Sequence, residues 1–409
     1  MFNLSDSLIG NVIQIIIVTV ISFFYVRILL KRECKWAYII AYAIRIALLL
    51  FSVYGRNIGM LPFDGGDTEF FYGAVLQKTD HIEFGIDALV TVTTYVSYVL
   101  GDSRFIYQYI MLAISMLGLR LTDRVMRELN ICKSVREKCL FIAAVFPSFA
   151  MFGIIYSREA IVSTGSMASF LFFILFLKEK TTKRFIYLLL CFCIDLVVCI
   201  FHAAPAAVVA GFILAIMLYD YHSDKVRVGI KSAGCAVAIC IILCAIYIRF
   251  PSAFEKLGNI KDVSSIAGRF MYETNIAAGS SYAQYVGDSD TWGRLFFFTP
   301  VRMFYGMFAP FPWEWRGLSD MATFFGNSVF YIVVSVIAIF DVFRKKYWRI
   351  FNKWLVLTLM FASAMVGWGS VAFGTAIRHR DKFFLLFVVL MSLELRGKDK
   401  DLYIENPDN

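Results

Sequence analysis

Charge is scarce in this chain. Only 17% of its 409 residues are Asp, Glu, Lys or Arg, where a soluble domain carries about a quarter. With 59% hydrophobic and 17% aromatic residues, that shortfall excludes an ordinary soluble domain and reads as a membrane protein. Proline is scarce as well. Its 8 residues form no linker, and no low-complexity stretch or internal repeat divides the sequence, so a single membrane domain over 1–409 is the simplest organisation. Histidine is limited to 4 residues, and the spacing of His81, His202 and His379 matches no metal signature, so no metal site is expected. The first apolar run has no basic stretch before it and no small-residue cleavage site after it. It is therefore expected to stay as a span rather than leave as a signal peptide.

The formal net charge is +9, with 40 basic residues against 31 acidic ones. A basic balance can mark a nucleic-acid binder. Here the charge is broken into short clusters between apolar runs, which excludes a continuous basic face and suits membrane flanks instead.

Crossing a hydrocarbon core of ~30 Å takes about 20 residues of helix. Eleven runs fit: 8–30, 36–54, 105–121, 139–156, 160–177, 185–202, 203–219, 232–249, 325–343, 354–372 and 383–395. Basic residues follow the first, third, fifth, seventh, ninth and last of them, as in Arg120 to Lys138 and Lys178 to Arg184. Such alternation places these connections inside, the N-terminus outside and the C-terminus inside. The expected fold class is all-α, a polytopic transmembrane bundle of about eleven spans. Runs 84–101 and 294–312 would break the alternation as single crossings. They are expected to be re-entrant or interfacial, or else to pair with a neighbouring run as a tight hairpin. Residues 250–324 form a long outside connection. All nine cysteines lie in spans or inside connections, so no disulfide framework is implied.

Several candidate sites collect outside. The first outer loop carries Arg56 and then Asp64-Gly65-Gly66-Asp67, whose carboxylates suit a general base or a cation site, or a solvated turn. Arg158 and Glu159 sit between two apolar helices with almost no loop, where an arginine needs a partner: Glu159 or a substrate phosphate. His202 begins a similar turn and titrates in the range needed for proton transfer. Arg378-His379-Arg380 precedes the last run and reads as a helix cap or an anion clamp. On a helix the two arginines would face apart, and in an extended segment they would face together. Trp313 and Trp315, in a Pro-broken aromatic stretch, are an interfacial belt or a platform for sugar rings. The outside connections favour Arg over Lys, which suits bidentate phosphate binding. Arg45 and Asp195 lie inside spans and are expected to be paired, with each other or with another group, or functional.

The order of these features resembles the EpsG-type and Wzy-type membrane proteins of bacterial polysaccharide assembly. The shared features are an outer Arg/Gly/Asp loop, a segment ending Gly101-Asp102-Ser103, a hairpin tipped by Arg158 and a hairpin tipped by His202. They cover roughly residues 1–220. Pro310-Phe311-Pro312-Trp313 and Arg378-His379-Arg380 are similar in style to polymerases and to GT-C glycosyltransferases, although GT-C enzymes carry their acidic loop after the first span and this chain after the second. The resemblance implies a multi-pass enzyme of the bacterial cytoplasmic (inner) membrane. It would polymerise oligosaccharide repeat units carried on undecaprenyl diphosphate, for capsule, O-antigen or exopolysaccharide. Arg158, Arg378, Arg380 and Arg56 would bind the diphosphate. Asp67, Asp64 or Glu159 would deprotonate the acceptor, His202 would relay a proton, and Trp313 and Trp315 would stack on sugars. Expected partners are the lipid-linked oligosaccharide, membrane lipid, a chain-length regulator and a flippase, with no cofactor and no nucleic acid. Two other readings stay open: a GT-C-like transferase using a polyprenyl-phosphate sugar, and a flippase of lipid-linked sugars.

Overall fold

The computed structural model describes residues 8–55, 66–77, 87–220, 223, 225–226, 229–250, 281–287, 291–344 and 350–396. Nearly all of it is helix, as backbone in hydrocarbon requires, because each helix satisfies its own N–H and C=O groups. Among the described residues, 8 helices are long and apolar enough to cross a membrane. They belong to α1 (Leu8–Leu30), α2 (Lys35–Tyr54), α5 (Arg104–Glu128), α8 (Glu159–Lys178), α9 (Lys183–Phe201), α11 (Ile230–Arg249), a composite helix over Leu318–Phe343, and α15 (Ile350–Gly369). The chain is thus an all-α, multi-pass membrane protein.

The other three expected runs are shorter helices. Residues 139–156 divide at Phe146, whose extended backbone precedes Pro147, giving α6 (Lys133–Val145) and α7 (Pro147–Phe152). Proline favours the first position of a helix and disfavours helical backbone in the residue before it, so the break falls where the residues demand it. Run 203–219 begins with a turn and leaves α10 (Ala206–Leu218), and run 383–395 gives α17 (Phe384–Arg396), each 13 residues. At 1.5 Å per residue such helices reach ~20 Å. Runs 84–101 and 294–312 form α4 (Asp87–Leu100) and α12 (Trp292–Phe308), of 14 and 17 residues. The remaining helices are α3 (Gly66–Leu76), α13 (Leu318–Thr323), α14 (Val329–Arg344) and α16 (Phe373–Asp381), with a π-helical turn over Phe324–Ser328 joining α13 to α14.

Short α17 is the centre of the bundle. Ten of its residues are buried, so its apolar surface meets protein on every side. Phe146 stacks on Phe384 with centroids 4.2 Å apart, and Phe149 and Phe330 close the same cluster. A second aromatic group ties α8 to α10 and α15: Phe173 stacks on Phe212 at 4.3 Å, and Trp354 Nε1 donates to Gly211 O at 2.7 Å. Helices α12 and α15 meet through glycine, since a Cβ on Gly367 would lie 2.6 Å from the Arg302 carbonyl carbon. Association through such close backbone approach is usual where lipid gives no hydrophobic drive. By contrast α1 and α11 expose apolar side chains such as Phe23, Phe24, Ile241 and Ile248 on the outer surface, as lipid-facing helices do.

The two buried charges of the spans do not meet. Arg45 donates to Ser115 Oγ at 3.1 Å and to the carbonyls of Ala41 and Ala144, with its guanidinium over Phe149. Asp195 lies beside Cys191 on α9.

One end of the bundle is bound by ion pairs. Arg136 joins Glu33 at 2.6 Å and Asp123 at 2.7 Å, Arg127 pairs with Asp123, and Lys178 pairs with Glu128. Arg396 donates to Leu129 O. The α1–α2 turn, the C-terminal ends of α5, α8 and α17 and the N-terminal end of α6 gather there. The N-terminal end of α8, the α9–α10 turn and α16 gather at the opposite end.

Candidate active site

Three separate segments build the site at that opposite end. The first is the entry to α8. Arg158 caps the helix and Glu159 is its first residue, so the carboxylate sits where the helix dipole favours negative charge. Glu159 is 3% exposed. The second is the tip of the α9–α10 hairpin. His202 ends α9 in extended backbone, and its Nδ1 accepts from Ala204 N at 3.0 Å. This contact holds the ring over the turn. The third is the end of α16, with Arg378, His379, Arg380 and then Lys382.

Arg378 Nη2 donates to Glu159 Oε1 at 3.0 Å, and Lys382 Nζ lies 3.7 Å from the same oxygen. Lys382 Nζ is also 3.0 Å from His202 Nε2, and the His202 and His379 rings meet edge to face at 5.2 Å. Arg158 Nη1 donates to Phe201 O at 3.4 Å while its guanidinium covers the Phe71 ring of α3 at 5.3 Å. Among the described residues, Arg378 and Lys382 thus pair with the Glu159 carboxylate, and Arg158 stands beside it in the chain. Lys382 and Glu159 are enclosed, whereas the Arg378 side chain keeps 23% exposure and Arg158 is half-buried. Glu159 thus anchors a cationic cradle whose two arginines are the partly exposed members.

Among the residues singled out from sequence, Arg158, Glu159, His202 and Arg378 come together here. Arg380 takes another path. In α16 it lies two positions from Arg378 and so on another face. It is fully buried, donating to Met307 O at 2.7 Å, Ala309 O at 2.9 Å and Ser328 Oγ at 3.1 Å. Burial lowers its pKa from the usual arginine value. Its neighbour Asp381 accepts from Tyr331 Oη at 2.8 Å and from Asn327 Nδ2 at 3.4 Å, and burial pushes this carboxyl up to about 6. The pair ties α16 to the π-helical turn and to the end of α12, fixing the helix that presents Arg378 and Lys382.

Comparison with known proteins finds no relative. No family model matches the chain, and neither a curated protein nor a solved structure does.

Trp313 and Trp315 have different surroundings. Trp313 is 66% exposed and stacks on Phe311 at 4.8 Å, with Phe304 stacked on the other side of Phe311 at 4.8 Å. Trp315 is half-buried against Phe324 and Phe325. Behind them Glu314 caps its own turn by accepting from Phe311 N at 2.7 Å, and burial raises its pKa. Arg56 and Asp64 lie outside the described residues. Asp67 is the second residue of α3, and its side chain is outside them too.

Sequence reasoning gave no site role to Lys382, His379 or Phe71. The signal for Lys382 was present: it stands four residues after Arg378, the spacing that puts two side chains on one helical face. His379 and Phe71 reach the cluster only through the packing of α16 and α3, which no local pattern announces.

Proposed function

We propose that this chain is an outward-facing glycan polymerase of the bacterial cytoplasmic membrane. Arg158, Arg378 and Lys382 would hold the diphosphate of a lipid-linked oligosaccharide. The observation that carries this reading is the cationic cradle itself: Arg158 from the entry to α8 and Arg378 and Lys382 from the end of α16 meet around Glu159 at one end of the bundle. Arginine forks suit diphosphate oxygens, and in a low-dielectric cleft their attraction for a developing anion is strengthened.

In this reading the chain crosses the membrane about eleven times and α6–α7, α10 and α17 complete crossings within the bundle. The cradle faces outward because the basic connections lie at the other end. The acceptor sugar hydroxyl attacks the anomeric carbon of the growing chain. A new glycosidic C–O bond forms, the bond to the diphosphate breaks, and the lipid diphosphate leaves with the bond's electron pair. The hydroxyl proton passes to a base. Glu159 already receives two cations and serves as their anchor, so Asp67 and Asp64 of the first outer loop are the bases of choice. Phe71, four residues after Asp67, lies under Arg158 and brings α3 to the cradle. His202, between Lys382 and the hairpin turn, orients the lysine. Trp313 offers an exposed ring face for a sugar.

Deleting the gene in its native bacterium tests the reading. Surface glycan reduced to a single repeat unit, with the long ladder lost, is the expected outcome. A repeat unit one sugar short points instead to a polyprenyl-phosphate-dependent transferase. Complete units retained on the inner leaflet point to a flippase. Arg158→Ala and Arg378→Ala are each expected to lose the ladder at normal membrane abundance, and wild-type ladders in both would overturn the cradle's role.

A further inference from the structure

Away from the cradle, Asp195 is an intramembrane acid that the proposed chemistry does not use. Helix α9 carries Cys191, Asp195 and Cys199 at four-residue intervals, so all three share one face. Asp195 is 1% exposed. Its carboxyl receives a weak thiol contact from Cys191 at 3.9 Å on Oδ2 and a side-chain hydrogen bond from Ser169, which also lies 3.4 Å from Cys191 Sγ. Its Oδ1 is buried and meets no hydrogen-bond partner among the described residues.

Beside this carboxyl is a half-open cavity of about 120 Å³ between α9, α10 and α11, lined by Phe192, Leu196, Cys199, Val209, Leu243 and Tyr247. The cavity is almost wholly apolar. Asp195 and Tyr247 are the lining residues with side-chain oxygen atoms, and the rest of the wall offers a water nothing to bond to, whereas an engineered apolar cavity of ~150 Å³ admits benzene. The space therefore suits an organic body of about six heavy atoms. The carboxyl adds a polar requirement, because an intramembrane acid is disfavoured until something bonds to it. A ketone can only accept. A hydroxyl both donates and accepts, so it satisfies Asp195 whether or not the acid carries its proton.

We infer that the cavity between α9, α10 and α11 binds a small apolar alcohol, its hydroxyl hydrogen-bonded to Asp195 Oδ1 and its hydrocarbon body against Phe192, Leu196 and Leu243. The site is separate from the cradle and stands whether or not the chain polymerises glycans.

Photolabelling of the purified full-length protein in detergent with 3-azibutanol tests this. On irradiation the diazirine loses N2, and the carbene inserts into the carboxyl O–H, giving an ester, or into a C–H bond of the wall. Peptide mass spectrometry is expected to find saturable adducts on Asp195 and its lining residues. Excess cyclohexanol protects against them and cyclohexane does not. Asp195→Leu raises the half-saturating concentration about tenfold, the factor that one hydrogen bond of ~1.4 kcal/mol supplies. Asp195→Asn, which still donates and accepts, retains saturable labelling of the walls and covers the case of a leucine variant that fails to fold. Adducts no denser here than on the exposed Leu189, Ile242 and Ile248, or equal protection by cyclohexane, overturn the site.

Discussion

Arg378 and Arg380 look interchangeable in the sequence, and the structure gives them different work. Sequence alone left open whether their segment is helical or extended, and that choice decides whether they face together. As a helix it sends Arg378 to Glu159 and Arg380 to the carbonyls of Met307 and Ala309. Substitution should separate the two. Arg380→Ala strips donors from three buried acceptors and is expected to cost about 3–5 kcal/mol, seen as low membrane abundance or a large fall in Tm. Arg378→Ala leaves Lys382 beside Glu159 and should cost less Tm than Arg380→Ala while abolishing glycan ladders. Equal Tm losses in the two variants would contradict the assignment. Asp381 allows a sharper test through pH. Burial pushes its folded carboxyl up to about 6, above the ordinary aspartate value of ~3.9, so folding favours the acid form. The stability it contributes is complete below about pH 4 and is lost as pH rises through 6. Asn cannot ionise, yet it can still accept from Tyr331. Asp381→Asn should therefore match wild type near pH 4 and gain on it by up to ~3 kcal/mol toward pH 8, read as a growing Tm difference in detergent. A difference that shrinks with rising pH would exclude this.

Helix existence was legible from the apolar runs, because any segment in hydrocarbon must close its own hydrogen bonds. Helix ends were less so. The run 139–156 contains Pro147, and a hydropathy window averages over the one residue that breaks it. The run 203–219 begins Ala203-Ala204-Pro205, apolar enough to count toward a span, yet the main chain there turns and α10 starts at Ala206. Helix pairing was not legible at all, since lipid-facing and protein-facing stripes are equally apolar. Glycine is the residue that marks the difference. Gly367 lets α15 lie against the backbone of α12, and a methyl group at that position would press on the Arg302 carbonyl carbon and oxygen at 2.6 Å. Backbone cannot step aside as a flexible side chain does. Gly367→Ala is expected to cost about 1–3 kcal/mol through separation of the two helices, whereas Gly293→Ala, with open space around its Cβ, should be neutral in the same thermal assay.

For the whole molecule, the useful sequence signal was the alternation of basic connections, because it sorts residues by end without any contact being known. The structure gathers the same residues physically. Arg136, Lys178 and Arg396 converge at one end through pairs with Glu33, Asp123, Glu128 and Leu129 O, and Arg158, His202 and Arg378 converge at the other. The carboxylates at the first end are the part the charge count missed, since Asp123 and Glu128 lie within a basic run and are easily read as solvated. Lysines and arginines there are salt-bridged in place, while at the cradle, among the described residues, Arg158, Arg378 and Lys382 gather around Glu159. If the positive-inside rule holds, a cluster of cations on the outer face needs a functional reason, and an anionic substrate is one. Sidedness is therefore the premise that the catalytic reading rests on, and it can be measured directly. In a variant with all nine cysteines replaced, Thr181→Cys lies in the exposed α8–α9 connection and Leu318→Cys lies beside Arg316, whose guanidinium covers Phe373 at the start of α16. An impermeant maleimide applied to intact cells should label Leu318→Cys at once and Thr181→Cys only after the membrane is opened. The reverse pattern would turn the cradle toward the cytoplasm, where lipid-linked units are assembled rather than polymerised, and would remove the polymerase reading along with it.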